Sequence, residues 1–203
     1  MSPSLLRCAP TDSPVFLYQN VLLPPAIHAA DDDGAGAGSG AGARAPLVIL
    51  HGLLGAARNF QSLARLYQQQ ETPPRAVVCI DLRNHGRTAA GLGAQPMDYT
   101  TMAADVRHTL MRLGVRRAHV LGHSMGGKVA AALALSRVND SNSSNDAVEV
   151  LSLTMMDISP VDYSSEPAFQ SVFSTLDTVR ALAPQVPLAH HTCSLTHPTL
   201  RIL

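Results

Sequence analysis

The stretch Ala118-His-Val-Leu-Gly-His-Ser-Met-Gly-Gly127 joins a short apolar run to the pentapeptide G-x-S-x-G, whose central residue is Ser124. The apolar run predicts a buried strand over residues 118–122, and the Ala-rich sequence beyond the pentapeptide predicts a helix. A serine at the tip of so sharp a turn has strained backbone geometry. Only glycine on either side, here Gly122 and Gly126, lets the neighbouring backbone pass close by. The hydroxyl then lies at a helix N-terminus, where the dipole favours developing negative charge, so Ser124 is a candidate nucleophile.

Strands and helices alternate on both sides of this turn. Asp98 has the position of a helix N-cap, and apolar residues recur after it at helical spacing until Gly114. The alternation predicts an α/β fold, with a mostly parallel sheet and helices on both faces. The predicted strands cover residues 46–50, 76–80, 118–122 and 148–157, and the predicted helices cover residues 60–70, 98–113 and 129–137.

Composition divides the chain into four segments. Residues 1–30 form an N-terminal segment with a possible edge strand, and residues 31–45 form a Gly/Ala-rich flexible loop. Residues 46–160 hold the α/β core, and residues 161–203 hold the start of a cap followed by an irregular tail. The loop fits the dinucleotide pattern GxGxx(G/A) only because it alternates Gly and Ala. We do not interpret it as a dinucleotide site, since no predicted strand runs directly into it.

The charge balance limits the classes of partner. The 203 residues carry 15 Lys+Arg against 15 Asp+Glu, so the protein has no basic field for nucleic acid or anionic lipid. No apolar run approaches the roughly 20 residues of a membrane helix, and polar residues interrupt any secretory signal. Three cysteines without CxxC spacing predict neither a disulfide framework nor a metal site. We expect an intracellular protein that acts on a small molecule and needs no cofactor.

A second glycine-containing motif follows the first predicted strand. It reads His51-Gly52-Leu53-Leu54-Gly55, and it stands where an acyl-transfer enzyme of this architecture needs a second oxyanion donor. The donors would be the backbone N–H groups of Leu53 and Met125. The alternative is that the glycines merely make a tight strand-to-helix turn. Two motifs at the ends of buried strands favour the chemical interpretation, because each predicts the structural context of the other.

These motifs together resemble the α/β-hydrolase fold superfamily. The resemblance rests on Val48-Ile-Leu-His-Gly-Leu-Leu-Gly-Ala-Ala-Arg-Asn-Phe60, Asp81-Leu-Arg-Asn-His-Gly86, Gly122-His-Ser-Met-Gly-Gly-Lys128 and Met156-Asp-Ile-Ser-Pro-Val161. Within the superfamily they are similar to the group around alpha/beta hydrolase domain-containing protein 11 and its bacterial esterase relatives. The resemblance implies a serine hydrolase of carboxylic esters or thioesters, with Ser124 as nucleophile and a helical cap after Pro160. In eukaryotes it also implies a mitochondrial address.

Two other enzyme classes fit the pentapeptide less well. Gly122 to Lys128 falls one residue short of a Walker A loop, but Val129 has no hydroxyl for Mg²⁺ and the His51-Gly52 loop has no role in an ATPase. Members of the superfamily with an aspartate nucleophile are disfavoured because the turn carries Ser124.

The remaining polar residues near the motifs have structural interpretations. We expect Asp81 to organise a turn with Arg83 and Gly86, and Lys128 to be solvated or paired. The histidines at positions 85, 119 and 123 are expected to be loop or strand residues, with His123, like His51, supporting its motif.

The residues expected to complete the site are not evident. A serine nucleophile needs a histidine base and a carboxylate, in the order Ser, Asp/Glu, His. Downstream of Ser124 the histidines are His190, His191 and His197, and too few residues follow Pro160 for the strand-plus-helix units, of about 30 residues each, that should precede the base. We therefore interpret these histidines as tail residues. Asp157 is a less favoured candidate for the acid, because the resemblance places the acid after a further strand.

Without a base, the chain as printed is expected to be nearly inactive, since losing a member of the triad costs about 10⁴ to 10⁶ in rate. The fold is expected to lack its last strands and most of the cap, which leaves the strand over residues 148–157 as an exposed edge. The hypothesis that fits is a C-terminally truncated serine hydrolase. The alternative is a non-catalytic protein that binds a ligand or partner through the same pocket. The sequence specifies neither the acyl chain nor the oligomeric state.

Overall fold

The computed structural model describes residues 14–23, 44–92, 97–139 and 148–178, apart from residues 164, 169, 172, 173, 176 and 177. In this part of the chain, five strands form one sheet in the order β1-β3-β2-β4-β5. Strand β1 pairs with β3 in the antiparallel direction, and the other strands are parallel. The strands are β1 Gln19–Leu22, β2 Leu47–Leu50, β3 Val77–Ile80, β4 Arg117–His123 and β5 Glu149–Met156.

Helices cover both faces of the sheet, as predicted. Along β2, Val48 and Leu50 pack into the larger apolar cluster, which includes side chains of α3 and α4, whereas Ile49 points to the smaller cluster against α1. This alternation follows from the period of two in a strand that is buried on both faces. The helices are α1 Gln61–Gln70, α2 Gly86–Leu92, α3 Tyr99–Arg112 and α4 Met125–Asn139, and a 3-10 turn, Ala57–Phe60, precedes α1.

A buried ion pair fastens the N-terminal segment and α3 to the core. The Arg83 guanidinium donates to Asp105 through Nε (2.7 Å) and Nη2 (2.8 Å). The same carboxylate accepts the Val15 backbone N–H at 2.7 Å, and Thr109 Oγ1 accepts the Leu17 N–H at 3.0 Å. Residues 14–18 are therefore held against α3 just before the chain enters β1.

The predicted elements agree with the structure except in two places. Helix α4 begins at Met125, four residues before the predicted start at Val129. Helix α2 was not predicted. The possible edge strand within residues 1–30 is β1, and the predicted edge strand β5 lies at the opposite edge of the sheet among the described residues.

Much of the predicted Gly/Ala-rich loop and of the tail lies outside the described residues. None of the helices in the described part of the chain is long and apolar enough to cross a membrane.

Candidate active site

The four parallel strands share an unusual backbone feature at their carboxyl ends. Each is followed, within four residues, by one non-glycine residue with a positive φ: Leu54 (61°), Asn84 (61°), Ser124 (50°) and Asp157 (54°). This left-handed conformation costs about 1–3 kcal/mol per residue, and such residues cluster at functional sites. The strained residues thus stand at the sheet edge where ligands bind in open α/β sheets.

Ser124 is the single turn residue between β4 and α4. Its N–H donates to the Met156 carbonyl at 2.9 Å, and its carbonyl accepts the Gly127 N–H at 2.8 Å. These bonds fix the peptide groups on both sides of the strained residue. Met125 is the first residue of α4, so its N–H belongs to the helix turn that has no intrahelical acceptors.

The two flanking glycines are required by close backbone approach. A Cβ at Gly122 would lie 2.3 Å from the Gly126 carbonyl oxygen. A Cβ at Gly126 would lie 2.5 Å from the carbonyl oxygens of Leu50 and His51. The pentapeptide spacing therefore corresponds to real steric contacts between β4, α4 and the end of β2.

A cavity of about 350 Å³ opens beside Ser124. The structure brings five of the predicted site residues to its wall, and Asn59 and Phe60 join them. Sequence reasoning missed these two because it gave the residues after Gly55 no role, although they belong to the run that carries the family resemblance. The lining residues are His51, Gly52, Leu53, Leu54, Gly55, Asn59, Phe60, His123 and Ser124.

His51, at the cavity wall, and His85 are buried, and both ring nitrogens of each have backbone partners. His51 Nε2 accepts the Leu82 N–H at 3.0 Å, and its Nδ1 lies 2.8 Å from the Gly52 carbonyl oxygen. His85 Nε2 accepts the Leu54 N–H at 3.2 Å, and its Nδ1 lies 2.8 Å from the Arg83 carbonyl oxygen. Burial lowers the pKa of His51 to about 4 and lowers the pKa of His85. Both imidazoles are thus neutral structural groups at pH 7.

Asp81 organises the turn after β3, as expected. Its carboxylate accepts the backbone N–H groups of Ala57 (2.6 Å) and Arg87 (2.8 Å). A Cβ at Gly86 would lie 2.3 Å from this carboxylate, so glycine is the residue that fits there. Asp81 therefore links the 3-10 turn to α2, and both of its carboxylate oxygens accept backbone hydrogen bonds.

His123 and Asp157 lie together at the ends of the neighbouring strands β4 and β5. The distance from His123 Nε2 to Asp157 Oδ2 is 3.8 Å, and the side chains are 38% and 87% exposed. This pair is open to solvent, whereas the histidines at positions 51 and 85 are enclosed. His119, earlier in β4, has its Nδ1 2.8 Å from Ser152 Oγ.

The first turn of α4 also contacts the segment after β5. Lys128 Nζ donates to the Val161 carbonyl and lies 4.5 Å from the centroid of the Tyr163 ring. Lys128 is therefore paired, which was one of its two expected states. The candidate histidines at positions 190, 191 and 197 lie outside the described residues. Among the described residues, no group of three or more His, Cys, Asp or Glu side chains could hold a metal ion.

Residues 45–201 match the family model described as alpha/beta hydrolase fold. The chain is 37% identical over 135 residues to the sn-1-specific diacylglycerol lipase ABHD11 of Danio rerio, covering 66% of this chain and 38% of that protein. It is 41% identical over 115 residues to the Mus musculus protein of the same name, covering 57% and 33%. It is 34% identical over 119 residues to esterase YbfF of Escherichia coli, covering 59% and 41%. The chain thus spans less than half the length of these curated relatives.

Solved structures agree on the architecture. A marine microorganism esterase superposes with a TM-score of 0.58 at 24% identity, covering 81% of this chain and 51% of that one. An esterase from Exiguobacterium antarcticum superposes with a TM-score of 0.51 at 18% identity, covering 83% and 53%. At this level of identity the superpositions bear on the fold alone.

Proposed function

Because the chain belongs to the alpha/beta hydrolase fold family, we propose that it is a serine hydrolase of carboxylic esters or thioesters with Ser124 as nucleophile. The observation that carries the proposal is the left-handed Ser124, held on the turn between β4 and α4 at the wall of a cavity. The lipase and esterase names of its relatives agree with an ester substrate. We further propose that this turn is a nucleophile elbow.

The proposed reaction has two steps. Ser124 Oγ bonds to the carbonyl carbon while the π electrons move to the carbonyl oxygen, and the N–H groups of Leu53 and Met125 donate to this oxyanion. Collapse of the tetrahedral intermediate breaks the bond to the alkoxide or thiolate, which takes up the proton that Ser124 gave to the base and leaves as alcohol or thiol, while the acyl group stays on Ser124. Water then repeats the attack, which releases the carboxylic acid and restores the serine hydroxyl.

The proton of Ser124 needs an acceptor, and we propose that none of the described histidines serves as one. His123, at the cavity wall, has its Nε2 3.8 Å from Asp157 Oδ2. The ring nitrogens of His51 and His85 have backbone partners, and His119 is bonded to Ser152. We therefore propose that ester hydrolysis by this chain is slower than hydrolysis by a complete triad, by a factor of about 10⁴ to 10⁶. Asp157 remains the candidate acid within the described residues, because its exposed carboxylate stands at the end of the strand next to β4.

The cavity guides the choice of the first substrates to test. Its volume of about 350 Å³ lies at the small end of the roughly 300–1,000 Å³ that small-molecule pockets occupy. Its lining includes the apolar side chains of Leu53, Leu54 and Phe60 and the polar side chains of His51, Asn59 and His123. We propose short-chain esters as the first substrates to test.

The test is labelling with a fluorophosphonate probe, followed by hydrolysis of a short-chain p-nitrophenyl ester. Ser124→Ala is expected to abolish both signals. Ser136→Ala is the matched control, since Ser136 lies on the same helix and donates only to the Leu133 carbonyl at 2.8 Å. Labelling that survives in Ser124→Ala would show that another residue reacts and would refute the assignment.

A second candidate function is a non-catalytic ligand-binding protein. It is favoured by the hydrogen bonds that His51, His85 and His119 already make to other groups. In that case the folded protein would not be labelled, yet an uncleavable ester analogue would shift the amide resonances of the residues lining the cavity.

We also propose a mitochondrial location. The family resemblance supports it, together with a first stretch that holds Arg7 and no acidic residue before Asp12. A fluorescent protein fused after residue 30 is expected to enter mitochondria, and Arg7→Glu is expected to reduce its import. A cytosolic signal from the unaltered fusion would refute the proposal.

A further inference from the structure

We propose that His85 is a positioning residue for the oxyanion loop, defined as residues 51–55. In its neutral form it holds the Leu54 N–H and thereby orients the neighbouring Leu53 peptide toward Ser124. This inference rests on the proposed function, since it concerns the donor that the reaction would use. His85 contacts no substrate in this scheme, because it acts through the backbone of Leu54.

The hydrogen bonds of His85 fix its protonation and its tautomer. A backbone carbonyl can only accept, so Nδ1, at 2.8 Å from the Arg83 carbonyl oxygen, must carry the proton. A backbone N–H can only donate, so Nε2, at 3.2 Å from the Leu54 nitrogen, must be unprotonated. The ring can serve both partners only as the neutral Nδ1–H imidazole.

Leu54 needs such a restraint. Its φ of 61° is unfavourable for a residue with a branched side chain, and that side chain is 50% exposed. Packing of the side chain therefore contributes little to keeping Leu54 in this conformation. Its backbone N–H is held by the hydrogen bond to His85, which belongs to the loop after β3. The Leu53 N–H belongs to the Gly52–Leu53 peptide, whose carbonyl accepts the Gly55 N–H at 3.0 Å. This peptide is one before the peptide that carries the Leu54 N–H, so a change in the Leu54 backbone reaches it through the Leu53 Cα.

His51 completes the connection in the opposite direction. From the oxyanion loop it reaches the loop after β3, where its Nε2 accepts the Leu82 N–H at 3.0 Å. The two imidazole rings lie with their centroids 5.0 Å apart. The two loops are thus joined twice, each time by a buried imidazole that accepts a backbone N–H of the other loop.

This arrangement makes the loop sensitive to acid. A second proton on His85 would turn Nε2 into a donor that faces another donor, the Leu54 N–H. The charged or titratable groups around His85 are His51, Asp81 and Arg83, and the Arg83 guanidinium is turned to Asp105. Burial lowers the pKa of His85, against the opposing effects of the Arg83 carbonyl and of Asp81. The loop is therefore expected to hold at neutral pH and to open as the pH falls through that lowered pKa.

The test compares His85→Gln with His85→Leu in the full chain. The Gln side-chain oxygen can reach the place of Nε2 and accept without titrating, whereas Leu removes the acceptor. His85→Leu is expected to speed Leu54 amide exchange by at least roughly tenfold. It should also slow fluorophosphonate labelling by roughly 10- to 100-fold, less than the roughly 10²- to 10³-fold loss on removing an oxyanion donor itself. His85→Gln should stay within about threefold of wild type in the Leu54 exchange rate and in the labelling rate, and it should lose the acid-dependent opening of the loop. His108→Leu, on α3, is the matched control.

Amide exchange separates this inference from the proposed function. If Ser124→Ala abolishes labelling but His85→Leu leaves Leu54 exchange and its pH dependence unchanged, the positioning role is wrong. If labelling persists in Ser124→Ala, the proposed function is wrong, and Leu54 exchange still tests His85. Should His85→Leu fail to fold, the imidazole ¹⁵N spectrum of the wild type decides. A proton on Nδ1 and none on Nε2 at pH 7 support the role, and the opposite tautomer overturns it.

Discussion

Replacing Asp105 by asparagine is expected to lower the free energy of unfolding by about 3–5 kcal/mol, because it leaves the Arg83 guanidinium charged and buried. The two side chains are 0% and 1% exposed. The carboxylate accepts two bonds from the guanidinium and one from the Val15 N–H. An asparagine amide offers one acceptor oxygen and turns a second donor toward the guanidinium. The loss is a large part of the roughly 5–15 kcal/mol that stabilises a typical domain.

The assay is urea unfolding followed by far-UV circular dichroism, which suits a chain without tryptophan. With a slope of about 2 kcal/mol per molar urea, the Asp105→Asn midpoint should fall by roughly 1.5–2.5 M. Glu149→Gln is the matched control. It breaks the exposed pair between Arg117 and Glu149, with Nε–Oε2 at 3.0 Å, and should cost less than about 1 kcal/mol.

The reasoning fails if Asp105→Asn costs no more than the control. A second check is the double variant in which Arg83 becomes Met and Asp105 becomes Leu. Because it removes both charges together, it should be more stable than Asp105→Asn. A double variant less stable than the single one would mean that the buried charge is not the cause of the loss.

Two further predictions concern residues around the cavity at the carboxyl ends of the strands. Gly126→Ala should lower the thermal unfolding midpoint in calorimetry much more than Gly114→Ala. A Cβ at Gly126 would meet two carbonyl oxygens at 2.5 Å, whereas a Cβ at Gly114 has nothing within 4 Å and meets only the strain of a φ of 73°, about 1 kcal/mol. Equal shifts would contradict this. Acidification should destabilise the fold through His51, whose pKa of about 4 lies below its ordinary value of 6.5, so the unfolded chain binds more protons between these values. Stability should fall as the pH drops from about 6.5 to 4, by up to about 3 kcal/mol, and urea midpoints at both pH values should show a smaller loss in His51→Gln.

The strands could be predicted because their apolar sequences indicate that they are buried in the sheet. A wholly apolar run such as the one that became β2 fits only a strand covered on both faces, and the two clusters around Ile49 and Leu50 show this arrangement. Helix α3 carried its own start signal, since the Asp98 side chain accepts the Thr101 N–H at 2.8 Å. The order of the strands and the antiparallel direction of β1 depend on pairing between distant segments, for which no local pattern exists.

The start of α4 was mispredicted for a reason that concerns the site itself. Gly126 and Gly127 are poor helix formers, so local propensity places a loop there. In the structure, Gly126 admits the end of β2, and a Cβ at Gly127 would lie 2.6 Å from Ile158 Cγ2. Both glycines therefore allow tight packing around Ser124, and tertiary contacts, not propensity, set the first turn of the helix.

The polar residues near the cavity fall into two physical classes that the sequence alone does not separate. Asp81, His51 and His85 have their acceptor atoms engaged by backbone N–H groups, so each holds two chain segments together. Ser124, by contrast, has both of its backbone groups fixed, while its hydroxyl makes no hydrogen bond to the described side chains. A side chain can act on a ligand only through bonding capacity that the fold has not already used. By this criterion His51, His85 and Asp81 build the site, and Ser124 keeps the bonding capacity that the proposed reaction requires.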